Sequence, residues 1–486
     1  MPAPTRDAMR EQMKEDGIEY LLVQFVDIHG AAKCKMVPAE TLDDVTDIGA
    51  GFAGAAVWGM GQGPHSHDMM ARVDLSSYTP LPWKPGVARF ASDIYVDAKP
   101  YEFCARVNLK RVLDAARKEG YVFNVGVEPE HFLVVRRENG EIAVWDPHAV
   151  DSLAKPCYDF KGMAGAMDYL RDMNDGLRRL GWGVYQSDHE DANAQYEINF
   201  KYADALTTAD RFTFFKMMAS QIAAKYGAIA TFMAKPFSGR TGSGAHMHYH
   251  IADAATGKNL CVTDCPSPPT PLPASGERGE KNSPLPRGER GRGEGARDRY
   301  GLGHSELGYH FIGGVLAHAR ALCAVTSPTV NCYKRLQIGA RLYSPLSGYT
   351  WTPAFITYGD NNRTQMIRCP EGGHFEDRTV SGGMNPYLAM AAYLAAGFDG
   401  IKRRLDPGEP NNANMYQTTA AEREAKKIRL LPQSLPEAIA ELERDEVIQA
   451  ALGPIYNEFI TLKKAEWADY HAQVSRWEIE RYLTMF

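Results

Sequence analysis

Apolar and polar positions along the chain change period several times, and each change marks an element. Helical spacing runs from Arg6 to Glu15, and strand alternation follows from Tyr20 to Asp27, turning at His29-Gly30. A further run from Ala88 to Tyr95 closes this first unit. Helical spacing returns over Asn108 to Glu119 and leads into the apolar run Tyr121 to Val135, which predicts a buried strand. A helix-like pattern appears again from Glu306 to Ala324.

Inside the buried strand sits Gly126-Val127-Glu128-Pro129-Glu130. Residues two apart on a strand share a face, so Glu128 and Glu130 project together. Two adjacent buried carboxylates cannot both stay ionised without a cation, and a hard metal ion is the usual partner. Other segments offer the same kind of ligand: Glu190 and Glu197 flank a polar turn running into the extended stretch Tyr196 to Phe200, and His246, His248 and His250 alternate behind the flexible Ser243-Gly244. Glu376 stands beside Arg378. Carboxylates with a single imidazole suit Mg²⁺ or Mn²⁺ better than Zn²⁺. Each group alone reads as surface acids, structural histidines or solvated arginines. Taken jointly with Arg335, Arg363 and Arg368, they match what phosphoryl transfer from ATP to a carboxylate needs: acids for cations and arginines for anionic oxygens.

Composition narrows the picture. The 486 residues, 44% hydrophobic, can bury more than one core, and a net charge of −6 gives no basic field for nucleic acid. The eight cysteines are scattered, with only Cys261 and Cys265 close, and read as free thiols in a reducing cytoplasm. Met1 to Tyr20 lacks an apolar signal core, and no apolar stretch is long enough to span a membrane. Pro266 to Asp298 contains two near-copies of a Pro/Gly/charge-rich unit that cannot bury enough apolar surface to order itself, which predicts a tolerated surface insert.

The ordered set of motifs resembles the glutamine synthetase family. It comprises the Gly-x-Glu-x-Glu strand, the Glu190/Glu197 pair, Gly242-Ser243-Gly244-Ala245-His246-Met247-His248, Asn331 to Leu336, Asn362-Arg363-Thr364 with Arg368, Glu376-x-Arg378, and Asn385-Pro386-Tyr387-Leu388. The resemblance implies an α+β fold: a β-grasp unit over residues 1–103, then a catalytic unit over 104–486 with a curved antiparallel sheet, helices behind it, and the insert 266–298 within. It implies a cytoplasmic homo-oligomer, a dodecamer of two hexameric rings with sites between subunits. Glu130, Glu190 and Glu197 would hold one metal and Glu128, His246 and Glu376 another, with two or three Mg²⁺ or Mn²⁺ per site. His248 would lie near the nucleotide and the backbone at Gly242 near the amino acid. Arg335 and Arg378 would bind the glutamate carboxylates, while Arg363 and Arg368 would stabilise the transferring phosphoryl group of ATP. Tyr416 matches the family's adenylylated tyrosine, although an ordinary exposed side chain is expected there.

Departures from the family bear on the amine. The acid that receives ammonium from the neighbouring subunit is replaced by Ala53, in Phe52-Ala53-Gly54-Ala55-Ala56. The flap glutamate is missing after Leu336, where Gln337 to Arg341 follows. His374 replaces an ATP-facing arginine, and Arg378-Thr379-Val380-Ser381 replaces Arg-x-Pro-Asp. An apolar wall of Ala53, Val57 and Trp58 suits a methyl group better than ammonium. With Gly49-Ala50-Gly51-Phe52-Ala53-Gly54 and Trp58-Gly59-Met60-Gly61, the pattern most resembles the branch of γ-glutamylmethylamide synthetases and type III glutamine synthetase-like proteins. The expected reaction is thus ligation of methylamine to L-glutamate, with ammonia-using glutamine synthetase and a non-catalytic family member as alternatives.

Overall fold

The computed structural model describes residues 4–263, 298–338 and 342–486, so the expected insert, Asp298 apart, and Gly339 to Arg341 lie outside it. The opening helix spans Arg6–Glu15, capped by the Thr5 side chain, and buries Met9 and Met13. It packs on a first, seven-stranded sheet ordered Ala32–Pro38, Tyr20–Val26, Val87–Val96, Met69–Val73, Ala50–Phe52. Tyr20–Val26 pairs parallel with Val87–Val96 and antiparallel with Ala32–Pro38. The predicted strands fall at their expected places.

The second sheet has ten strands organised around Tyr121–Arg136. Along its main path lie Val184–His189, Gln195–Phe200, Tyr121–Arg136, Ala245–Asp253, His374–Asp377, Ile367–Glu371 and Tyr358–Asp360. All these pairings are antiparallel except the last, between Tyr358–Asp360 and Ile367–Glu371, which is parallel. The α+β class is as expected.

One face of this sheet is covered by helices, including Ala205–Lys225, Glu306–Thr326 and Pro386–Arg403. The last two approach so closely that a Cβ on Gly314 would lie 2.1 Å from the Ala396 carbonyl oxygen. Only glycine permits that contact. The two sheets are tied where the Asn385 side chain donates to the Asp27 and Ile28 carbonyls, beneath the turn at Gly30. Among the described residues no helix is long and apolar enough to cross a membrane.

Candidate active site

Strand register assembles the site. Glu128 stands opposite His246 and Glu130 opposite Glu197, while His248 pairs with Glu376, which in turn faces Arg368. Paired residues point the same way, as do residues two apart, so all these side chains project to one face. All of them but His248, which stands behind Glu128, line a cleft of about 630 Å³ into which Glu190, Gly242, Arg335, Arg363 and Arg378 also reach. Ser243-Gly244, expected to be flexible, is instead packed: the Gly244 N–H donates to Glu130 at 2.9 Å, and a Cβ there would meet the Arg335 guanidinium.

The acids and imidazoles interlock. His246 Nδ1 is 3.1 Å from Glu128 and its Nε2 3.4 Å from Glu130, while His248 Nε2 is 2.9 Å from Glu128. His248 Nδ1 lies 2.7 Å from His374, at the position where the family carries an arginine. Ligand atoms of Glu128, Glu197 and His246 fall within 4.8 Å of one another, as do those of Glu128, His248 and Glu376. The five acids and the imidazole of His246 singled out in the sequence therefore share one cleft, but they group across the two sets implied by the resemblance. Glu130 turns instead towards Gln195 and Gly244.

Burial and the neighbouring carboxylates push Glu190 and Glu197 well above the usual carboxylate range. That cluster of acids, short of positive charge, fits a divalent cation. Glu128 and Glu376 are held low despite their burial, Glu128 by His248 and His246, and Glu376 by Arg378 and the two imidazoles. Glu376 accepts from Arg378 and, at 2.6 Å, from Arg368. Arg335 donates to the Arg378 and Thr379 carbonyls, fixing the segment that presents Arg378. The buried Arg378 Nε and Asn199 Oδ1 both belong to cleft residues and have no hydrogen-bond partner among the described residues. Arg363 is exposed at the cleft.

Asp191, Trp351 and Cys157 are among the cleft residues that the sequence did not single out. Asp191 sits beside Glu190, and its carboxyl, raised to about 6 chiefly by burial, accepts from the indole N–H of Trp351. Trp351 adopts a left-handed φ of 49° after the hairpin Tyr343–Ser344/Gly348–Tyr349, and its ring packs on Tyr349, which stacks on Tyr416. Cys157 has its sulfur within 4.8 Å of the Glu190 and Asp191 oxygens. One acid among several in Asp188 to Asp191 carries no distinguishing signal, and a tryptophan in a loop advertises no direction.

Tyr416 corrects an expectation. It is half-buried rather than exposed, and its hydroxyl donates to the Thr352 carbonyl. Ala53 is exposed and does not line its own chain's cleft. Val57 and Trp58 border a separate pocket with Glu458 and Leu462.

Residues 102–267 and 294–482 match the family model for the glutamine synthetase catalytic domain. The chain belongs to the glutamine synthetase family. It is a ligase of that family, as its relatives are. A glutamate–methylamine ligase of Methyloversatilis universalis is 46% identical over 98% of each chain. A glutamine synthetase of Rhizobium meliloti is 39% identical over 96% of each. A solved structure described as a GmaS/ADP complex superposes with a TM-score of 0.83 at 40% identity, covering 98% of this chain and 99% of that one. Apo GmaS gives 0.82 at 39% identity with the same coverage.

Proposed function

We propose that this protein joins an amine, methylamine by preference, to the γ-carboxylate of L-glutamate, converting ATP to ADP and phosphate. The observation that carries this reading is one cleft in which an acid floor meets four arginines, one of them with a buried Nε unpartnered among the described residues. Glu128, Glu130, Glu190, Glu197, His246 and Glu376 would hold two or three Mg²⁺ or Mn²⁺ ions, which neutralise phosphate charge. Arg335 and Arg378, with the Gly242 backbone, orient glutamate. Arg363 and Arg368 hold the transferring phosphoryl group, and His248 lies towards the nucleotide. Attack by the γ-carboxylate gives γ-glutamyl phosphate, and the amine then displaces phosphate.

The amine subsite is read on Asp191 and Trp351. The carboxylate of Asp191 draws the alkylammonium and accepts its proton, while the indole face of Trp351 receives the methyl group. Residues 1–103 act as a β-grasp unit that offers Ala53, Val57 and Trp58 to a neighbouring subunit's cleft in a cytoplasmic dodecamer. Asp191 could also serve ammonium, so ammonia is the second reading, supported by the glutamine synthetase relatives.

Phosphate release should be measured with ATP, glutamate and, in turn, ammonia, methylamine, ethylamine and a polyamine. Methylamine should give the highest kcat/KM. Ammonia used at least as efficiently would favour a glutamine synthetase, and no release with any amine would leave a non-catalytic family member.

A further inference from the structure

A second open cavity, about 1010 Å³, lies between the first sheet and the helix Ala205–Lys225, and it shares no lining residue with the cleft. Its walls are apolar, with Leu22, Leu81, Trp83, Met217, Phe232 and Met233 among them. Its charged lining has one sign: Lys84 and Lys216 face it beside His29, whose imidazole is held neutral by burial and Lys463, and among the described residues no aspartate or glutamate lines it.

Lys216 is the unusual member. Its ammonium has the Gly382 and Met384 carbonyls at 3.4 Å each and the Phe212 ring at 4.7 Å. Both hydrogen bonds are long, and the carboxylate that acts on Lys216, Asp27, is itself paired with Lys33. Burial lowers its pKa to about 8, so the ammonium is still charged at neutral pH. A buried cation in contact with no carboxylate, steadied only at a distance by Asp27 and set at the floor of an apolar groove, complements a ligand with an anionic head and an apolar body.

We propose that this groove is an effector site for a small amphipathic carboxylate, whose head meets Lys216 and whose body lies along Trp83, Met217 and Met233. The site is placed to act on glutamate binding. Gly382 and Met384 belong to the segment that follows Arg378, while the lining residues Thr329 and Asn331 stand at the start of the helix Val330–Leu336, which carries Arg335. An occupant that draws Lys216 from its two carbonyls frees the end of the segment carrying Arg378.

Octanoate is the probe, with 1-octanol as its neutral counterpart, titrated calorimetrically into the full-length protein. A single octanoate should bind per chain, with octanol weaker by about tenfold or more. Lys216→Arg should keep that affinity and Lys216→Met lose about tenfold. Met233 is 46% exposed, so Met233→Glu spares the fold while opposing the acid, and it too should lose octanoate. Saturating octanoate should shift the KM for glutamate by about fivefold in the native protein and leave it unmoved in Met233→Glu. Equal binding of acid and alcohol overturns the site, as does an affinity unchanged in Lys216→Met and Met233→Glu. The absence of saturable binding, as when a second copy of the chain fills the groove, overturns it equally. Octanoate that binds without moving the glutamate KM overturns the effector role. The titration does not depend on which amine the enzyme uses, so its failure is distinct from failure of the ligase reading.

Discussion

Removing one carboxylate from the cleft takes away a charge without removing packing. Glu376 and Glu130 are buried but lie on the cleft face of their strands, between arginines, imidazoles and amides rather than in the apolar core. Glu376→Ala and Glu130→Ala should each lower phosphate release by about a hundredfold or more while circular dichroism stays native-like. Trp351→Ala should raise the KM for methylamine about fourfold more than that for ammonia, the worth of one methyl group on an apolar wall. Equal changes for the two amines would remove Trp351 from the amine subsite. The acids of the cleft were legible in the sequence because carboxylates within an apolar strand violate the burial rule and so announce themselves. Asp191 and Trp351 were not, because their roles depend on a hairpin returning across the cleft, a long-range relation that no local period encodes.

The elements repeat this contrast. Tyr121–Arg136 could be read from its apolar run and Ala245–Asp253 from the alternation of its histidines, but their mutual register could not, since it depends on which partner buries which face. The helices Glu306–Thr326 and Pro386–Arg403 meet across glycines, and a Cβ on Gly400 would fall 2.1 Å from the His310 carbonyl oxygen. Gly400→Val should therefore cost about 1–3 kcal/mol through overpacking, read as a lowered Tm. The same bundle holds a charged latch. His318 lies 3.0 Å from Asp399 and 2.6 Å from Asp445, the residue that caps Glu446–Leu452. Burial opposes the imidazolium, but the two carboxylates raise its pKa overall. A pKa raised by folding gives stability that is complete below the unfolded value and is lost as pH rises through the folded one. The Tm should accordingly fall as pH climbs past about 6.5, and His318→Gln should flatten that slope.

For the whole molecule, what matters is what one chain leaves unfinished. Ala53 is exposed, Trp58 is 63% exposed, and neither reaches the cleft of its own chain. The helix Arg476–Tyr482 and the residues after it expose Trp477, Leu483 and Phe486, an apolar arm left uncovered by the described residues. Both features fit self-assembly. Ala53→Asp should shift the preference from methylamine towards ammonia in the assembled enzyme, as read from the ratio of the two kcat/KM values. A ratio left unchanged would place the amine wholly within one subunit.

Strand register also bears on heredity. The acids and the imidazole on the cleft floor take their places from three strand pairings, so the chemistry has its address written once, in the alignment of a buried sheet. A slip of one residue would turn all of them away together, which leaves no intermediate version for selection to keep. Ala53 and the hairpin bearing Trp351 stand outside that address. A lineage can rewrite its amine there while copying its phosphoryl chemistry unaltered.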